Sequence, residues 1–200
     1  YKGDKTVPYM GNSDLPDSKS EYKYDADRIK VIFKCHKDII FFAEHFFYIL
    51  SSGKKQKIQL RNYQKNGLDL FQKYNKTIYN TSRQMGKTTL ITIYALWLTT
   101  FFEYRKVLVV ANKAETAKEI LGRIKMAYQE MPNWIKPGVV SWNKMSVEFK
   151  NGSDIKISAT SSDAARGQSL NCLSGESMIE VVSQDGLIYD LSMEEMTNLN

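Results

Sequence analysis

The order of segments predicts an α/β fold, and three observations carry that expectation. Between residues 76 and 160, short apolar runs alternate with longer stretches of helical period, the pattern of strands joined by packing helices. A Gly-Lys-Thr run at residues 86–88 lies where the first strand would hand over to the first helix. After Asn171 the chain changes character, and "CLSGESMIEVVSQDGLIYDL" starts a separate pair of strands.

Composition sets the frame for these elements. The chain has 200 residues, 42% hydrophobic and 25% charged, with a net charge of +6. That is globular rather than disordered, with room for one core or one domain plus an appendage. The positive charge suits a polyanion partner without demanding one. Two cysteines, Cys35 and Cys172, lie far apart without metal-ligand spacing, as expected of a reducing cytoplasm. Cys35–His36 likewise has no further ligands at metal spacing. The most apolar stretch, residues 91–102, is too short for a bilayer span, and no signal peptide is visible.

Residues 1–28 mix Gly, Pro, Ser, Asp and Lys without apolar period and read as a loose tail. Residues 29–50 turn aromatic, and "DIIFFAEHFFYIL" has the spacing of one helix packed on the main domain. "SSGKKQK" reads as a polar linker, and "RNYQKNGLDLFQKY" as a helix weakened by Gly67. "KTIYN" (76–80) is the expected first strand, followed by a helix over 88–102. "KVLVVAN" (106–112) is the second strand and residues 114–131 a long amphipathic helix. "SVEFK" and "DIKISAT" flank Asn151–Gly152, a hairpin signal in which both turn residues are expected at positive φ. The expected domains are therefore 1–57, 58–171 and 172–200.

"TSRQMGKTT" (81–89) stands between a strand and a helix, the context a phosphate-binding loop needs. Backbone N–H groups and the helix dipole favour an anion there. Gly86 allows close approach, Lys87 reaches terminal phosphates, and the Thr88 hydroxyl can ligate Mg²⁺. Ser82, Arg83, Gln84 and Thr89 complete the candidate loop. Thr81 stands where the strict GxxxxGK[ST] pattern has its first glycine, so an ordinary turn holding a lysine stays open. Arg83 could serve as an arginine finger supplied by the same chain. Upstream, Gln64 has the amide to read an adenine edge, and Tyr63 the ring to pack on it.

These segments resemble the large terminase subunit of tailed bacteriophages, the ATP-driven motor that packages DNA into proheads. "FFAEHFFYI", "IQLRNYQ", "SRQMGKTT", "PGVVSWNKMSVEFKNGS" and "ATSSDAARGQS" are similar to family segments in the family's order. The resemblance implies an incomplete P-loop NTPase sheet of the RecA/ASCE kind with flanking helices. It implies ATP and Mg²⁺ as cofactors, Gln64 in the adenine motif, Arg83 as the cis arginine, and Gly86, Lys87 and Thr88 at phosphate and metal. It also implies double-stranded DNA, the prohead portal and the small terminase subunit as partners, in the cytoplasm of an infected bacterium. The Walker B strand and catalytic glutamate that follow in the family have no counterpart in residues 172–200.

"CLSGESMIEVVSQDG" resembles the opening of an intein, with Cys172, Gly175, Ser177 and Glu180 in the matching places. The resemblance implies a short hairpin of the Hint fold, a splice junction between Asn171 and Cys172, and Cys172 as splicing nucleophile. It implies a complementary chain carrying the intein's C-terminal fragment and the remainder of the motor, and a split intein is the expectation. From the residues alone, "SMIEVV" and "LIYDL" form a hairpin turning at Asp185–Gly186, and Ser192 with Glu195 forms a capping box. Two other readings stay open: a self-contained small P-loop ATPase or kinase-like protein, and a basic DNA-binding module with a decayed nucleotide site.

Overall fold

The protein is represented by a computed structural model. It describes residues 3–51, 53–74 and 76–159, and the backbone of 172–175, 179–182 and 188–191.

The amino-terminal segment is ordered, contrary to the expected loose tail. β1 (Pro8–Tyr9) and β2 (Asn12–Pro16) pair antiparallel, Lys5 bridges Glu21, and Asp17 bridges Val139 far along the chain. Leu15 is buried in the main core. The anchors are single bridges and backbone carbonyls, which leave no period in the sequence.

Two helices replace the single aromatic one. α1 (Ala26–Lys37) ends where α2 (Ile39–Phe46) begins, because Asp38 caps both. Its φ of −128° is extended, and its carboxylate accepts from Phe41 N at 2.8 Å. That bond satisfies a donor at the helix start. The expected linker is half of a hairpin: β3 (Tyr48–Ser51) pairs with β4 (Lys54–Lys57), turning through Gly53 at φ 74°.

α3 (Asn62–Lys73) forms as expected. Residues 76–80 do not form the expected strand and make no ladder among the described residues. A strand is stable only beside a partner, and here Ile78 is left 57% exposed. α4 (Lys87–Phe101) follows, with every residue from Ala95 to Thr99 buried. Its buried threonines bond back to their own helix: Thr92 Oγ1 donates to Thr89 O at 2.7 Å and Thr99 Oγ1 to Ala95 O at 2.8 Å.

β5 (Lys106–Ala111), α5 (Ala114–Glu130), β7 (Ser146–Phe149) and β8 (Asp154–Ala159) match expectation, and β6 (Val139–Trp142), which sequence reading missed, precedes β7. The turn between β7 and β8 differs in detail. Gly152 has φ 77°, whereas Asn151 is not at positive φ. Gly152 N donates to Phe149 O at 3.0 Å and Phe149 N to Ser153 O at 2.9 Å, so one left-handed residue closes the turn. Asn151 is thereby free to donate from Nδ2 to Thr99 O at 2.8 Å, capping α4.

β9 (Cys172–Gly175) closes a five-stranded sheet of order β6-β7-β8-β5-β9. β8 and β9 both run parallel to β5, while β7 is antiparallel to β6 and β8. Cys172–Gly175, the opening of the intein-like run, is an extended strand on this sheet. β10 (Ile179–Val182) and β11 (Ile188–Leu191) pair antiparallel as the expected hairpin. Its Asp185–Gly186 turn, and the capping box at Ser192 and Glu195, lie outside the described residues. The whole is a mixed α/β fold with five helices among the described residues. Its core joins Leu90, Ile93 and Leu96 of α4, Ile120 and Ile124 of α5, and Ile155 and Ile157 of β8.

Candidate functional site

The Gly-Lys-Thr run opens α4 as expected, although no strand precedes it. Gly86 is the N-cap, at φ 81° and ψ 24°, a left-handed conformation that glycine takes without a Cβ penalty. The cap makes no side-chain hydrogen bond and the first turn holds no acidic residue. This 15-residue helix therefore presents its positive end with no carboxylate supplied by its own first turn. Gln84, two residues earlier, is also left-handed at φ 63°, a conformation that costs a non-glycine residue about 1 kcal/mol.

The side chains divide into two sets. Ser82, Arg83 and Gln84 are exposed, whereas Lys87, Thr88 and Thr89 are half-buried. Lys87 Nζ donates to Thr81 O at 2.8 Å, folding the ammonium back over the loop. Thr81 Oγ1 is buried and has no hydrogen-bond partner among the described residues. Arg83 stands in solvent rather than inside the loop, so it carries no burial penalty that an anion would have to offset.

Gln64 and Tyr63 come to this loop from the start of α3. Gln64 is 9% exposed, with both ends of its amide on backbone: Oε1 accepts from Arg61 N at 3.0 Å and Nε2 donates to Met85 O at 3.4 Å. Tyr63 meets the segment just before the loop through its carbonyl, which accepts from Tyr79 Oη at 3.1 Å. Tyr79 was not singled out from the sequence. The signal was Gly67, whose missing side chain makes room for that ring: a Cβ there would lie 2.9 Å from Tyr79 Cζ.

The two cysteines are in different settings. Cys35 is fully buried on α1, and burial pushes its thiol up to about 12, which leaves it unreactive. The Cys172 backbone opens β9, with Cys172 opposite Val107. Its side chain, and Asn171 as a whole, lie outside the described residues. Among the described residues no group of three His, Cys, Asp or Glu side chains could hold a metal ion. Thr88 therefore offers a hydroxyl, to which a nucleotide's own phosphates would have to add ligands. No helix among the described residues is long and apolar enough to cross a membrane.

The chemistry open to this arrangement is anion binding at a helix start, with a lysine and a hydroxyl beside it. The stretch that contains it, running through α4, β5, α5 and the β6–β8 sheet to the start of β9, has a family counterpart: residues 78–173 match the family described as terminase large subunit, T4likevirus-type, N-terminal.

Proposed function

We propose that this chain is the N-terminal part of a terminase large subunit, the ATP-driven motor that packages phage DNA, and that it binds ATP through residues 81–89. The observation that carries this reading is the left-handed Gly86 at the start of α4 with Lys87 and Thr88 beside it, inside the segment that matches the terminase family. The residues present fit a triphosphate. Gly86 opens α4 in the left-handed conformation, and a Cβ there would lie 2.6 Å from Gln64 Nε2, so only glycine fits at this helix start. Thr81 Oγ1 has a hydrogen bond still to give.

In this reading Lys87 leaves Thr81 O for a phosphate oxygen, and Thr88 takes one Mg²⁺ position through its hydroxyl. Ser82, Gln84 and Thr89 line the loop with N–H and hydroxyl donors, and Tyr63 lies on the base side. Arg83 supplies positive charge against the transferring phosphoryl group. When bound, ATP brings the phosphoanhydride bond and Mg²⁺ the charge neutralisation. Double-stranded DNA, the portal and the small subunit are the partners that follow from the family.

Calorimetric titration of Mg-ATP into the chain tests the nucleotide part. Binding that disappears in Lys87→Ala is the expected result. Equal binding by both proteins would refute it.

The second part of the proposal concerns residues 172–200, read as the N-terminal fragment of a split intein. Its support is the run of Cys172, Gly175, Ser177 and Glu180 followed by the β10–β11 hairpin. Cys172 Sγ attacks the Asn171 carbonyl carbon, the C–N bond breaks, and a thioester forms as the thiol proton passes to the released α-amine. The complementary chain then receives the acyl group, and ATP turnover is acquired on ligation. Mixing the chain with such a partner and weighing the products decides it: a ligated product lost in Cys172→Ala is expected, and ligation that survives would end this part alone.

A further inference from the structure

Two side chains outside the phosphate loop tie it to α3 at both ends, and neither needs a nucleotide to do so. Gln64 joins two backbone groups and crowds a third residue. Its Oε1 holds Arg61 N, its Nε2 reaches Met85 O, and the same nitrogen sits where a Cβ on Gly86 would be, 2.6 Å away. At the other end, Tyr79 donates its hydroxyl to Tyr63 O at 3.1 Å and lays its ring in the space left by Gly67. Tyr63 and Gln64 are neighbours in the first turn of α3, so one helical turn grips the loop on both sides. That turn is itself held in place. Leu68 is fully buried in the core, and Lys65 pairs with Glu44 of α2 at 2.8 Å.

We propose that Gln64 and Tyr79 are positioning residues, which set the shape of the loop 81–88 from α3. The inference rests on the phosphate-loop reading and goes beyond it in taking Gln64 away from the base. An amide reads a base edge by turning its oxygen and nitrogen together toward it. Here that edge faces Arg61 N and Met85 O, which belong to α3 and to the loop. Turning it outward would break both bonds and leave two backbone groups to find other partners. The left-handed Gln84, whose conformation persists only where its surroundings over-determine it, lies between these two ties.

The test separates phosphate from base by using tripolyphosphate, which has no base, beside ATP and GTP, each with Mg²⁺ and the full 200-residue chain. A loop brace predicts that Gln64→Ala weakens all three ligands by the same factor, about fivefold, the size of one lost neutral hydrogen bond. The ratio of ATP to GTP affinity then stays unchanged. Tyr79→Phe, which removes one oxygen far from any base, weakens all three by about threefold on the same reasoning. Loss of ATP binding with tripolyphosphate untouched would return Gln64 to the base and overturn the proposal, as would no change in any ligand. Should Gln64→Ala fail to fold, Tyr79→Phe decides the question by the same criteria. A wild-type chain that binds none of the three removes the phosphate-loop reading, and this one with it.

Discussion

Gly86 and Gly152 sit at two left-handed turns of nearly equal φ, 81° and 77°, yet the turns are held by different means. At Gly152 the backbone holds itself: two main-chain bonds between Phe149, Gly152 and Ser153 close the hairpin, inside a ladder of β7 and β8. At Gly86 the flanking residues 76–80 make no ladder among the described residues, and side-chain bonds from Gln64, Tyr79 and Lys87 surround the turn. The neighbours of the two glycines differ too. A Cβ on Gly152 would meet Tyr104, a 74% exposed ring that can swing into solvent, whereas a Cβ on Gly86 would meet the buried Gln64 amide. A turn closed by main chain has no side-chain bond at its closure to give up to a ligand. A turn closed by replaceable side-chain bonds can exchange them for a ligand.

The largest expected effect comes from breaking that difference at its sharpest point. Gly86→Ala should lower tripolyphosphate affinity by more than about tenfold, because it strains φ and displaces the Gln64 brace together. Gly152→Ala should leave that affinity alone and cost about 1–2 kcal/mol of unfolding free energy in urea, mostly from the left-handed conformation. If both variants lose binding, or both lose only stability, the contrast between the turns is wrong.

Acidity offers a second way to part the regions. The segment leading into β6 carries Lys136, a residue 5% exposed, whose ammonium donates to Asp14 O and Gln129 O and lies over the Tyr128 ring. Burial, partly opposed by Asp14 and Glu130, lowers it from 10.5 to about 8. Above that value the unfolded chain holds a proton that the folded one has released, so stability rises with pH. Cys35 works the other way, since its thiol is raised from 9.0 to about 12 and stability is lost as pH climbs between those values. The rise is therefore clearest from about pH 8 to 9, at about 1 kcal/mol per pH unit. Urea midpoints should climb across that window in the wild type and stay flat in Lys136→Met. A flat wild-type profile would show that the lysine is solvated after all.

The smallest effect is expected at Thr81. Its hydroxyl is buried without a partner among the described residues, so Thr81→Val removes nothing that is bonded and should change stability by less than about 0.5 kcal/mol. A loss well above that, measured in the same urea titration, would mean the hydroxyl is already bonded and would weaken the picture of a loop with bonds in reserve.

Local chemistry was readable residue by residue. The apolar periods of α3, α4 and α5 appeared in the sequence, as did the β7–β8 and β10–β11 hairpins and the helix start at Gly86. The misses share one cause. Asp38 is a good cap in either direction, and the break there goes with the burial of Cys35 and Ile39 on either side of it, where Cys35 O accepts from Trp97 Nε1 of α4. Residues 76–80 have strand composition and no strand beside them among the described residues. The amino-terminal segment carries no pattern because it is held by distant carbonyls, as when Lys136 donates to Asp14 O.

What the amino acids determined unaided is what acts within a few residues: the apolar period, and the freedom of Gly86 and Gly152 to turn left-handed. The tertiary structure alone decided which strands find partners and whether a polar group meets a backbone or a ligand. That Gln64 Nε2 reaches Met85 O could not be read from the sequence, because a hydrogen bond between residues 21 apart forms only where the fold places its two ends.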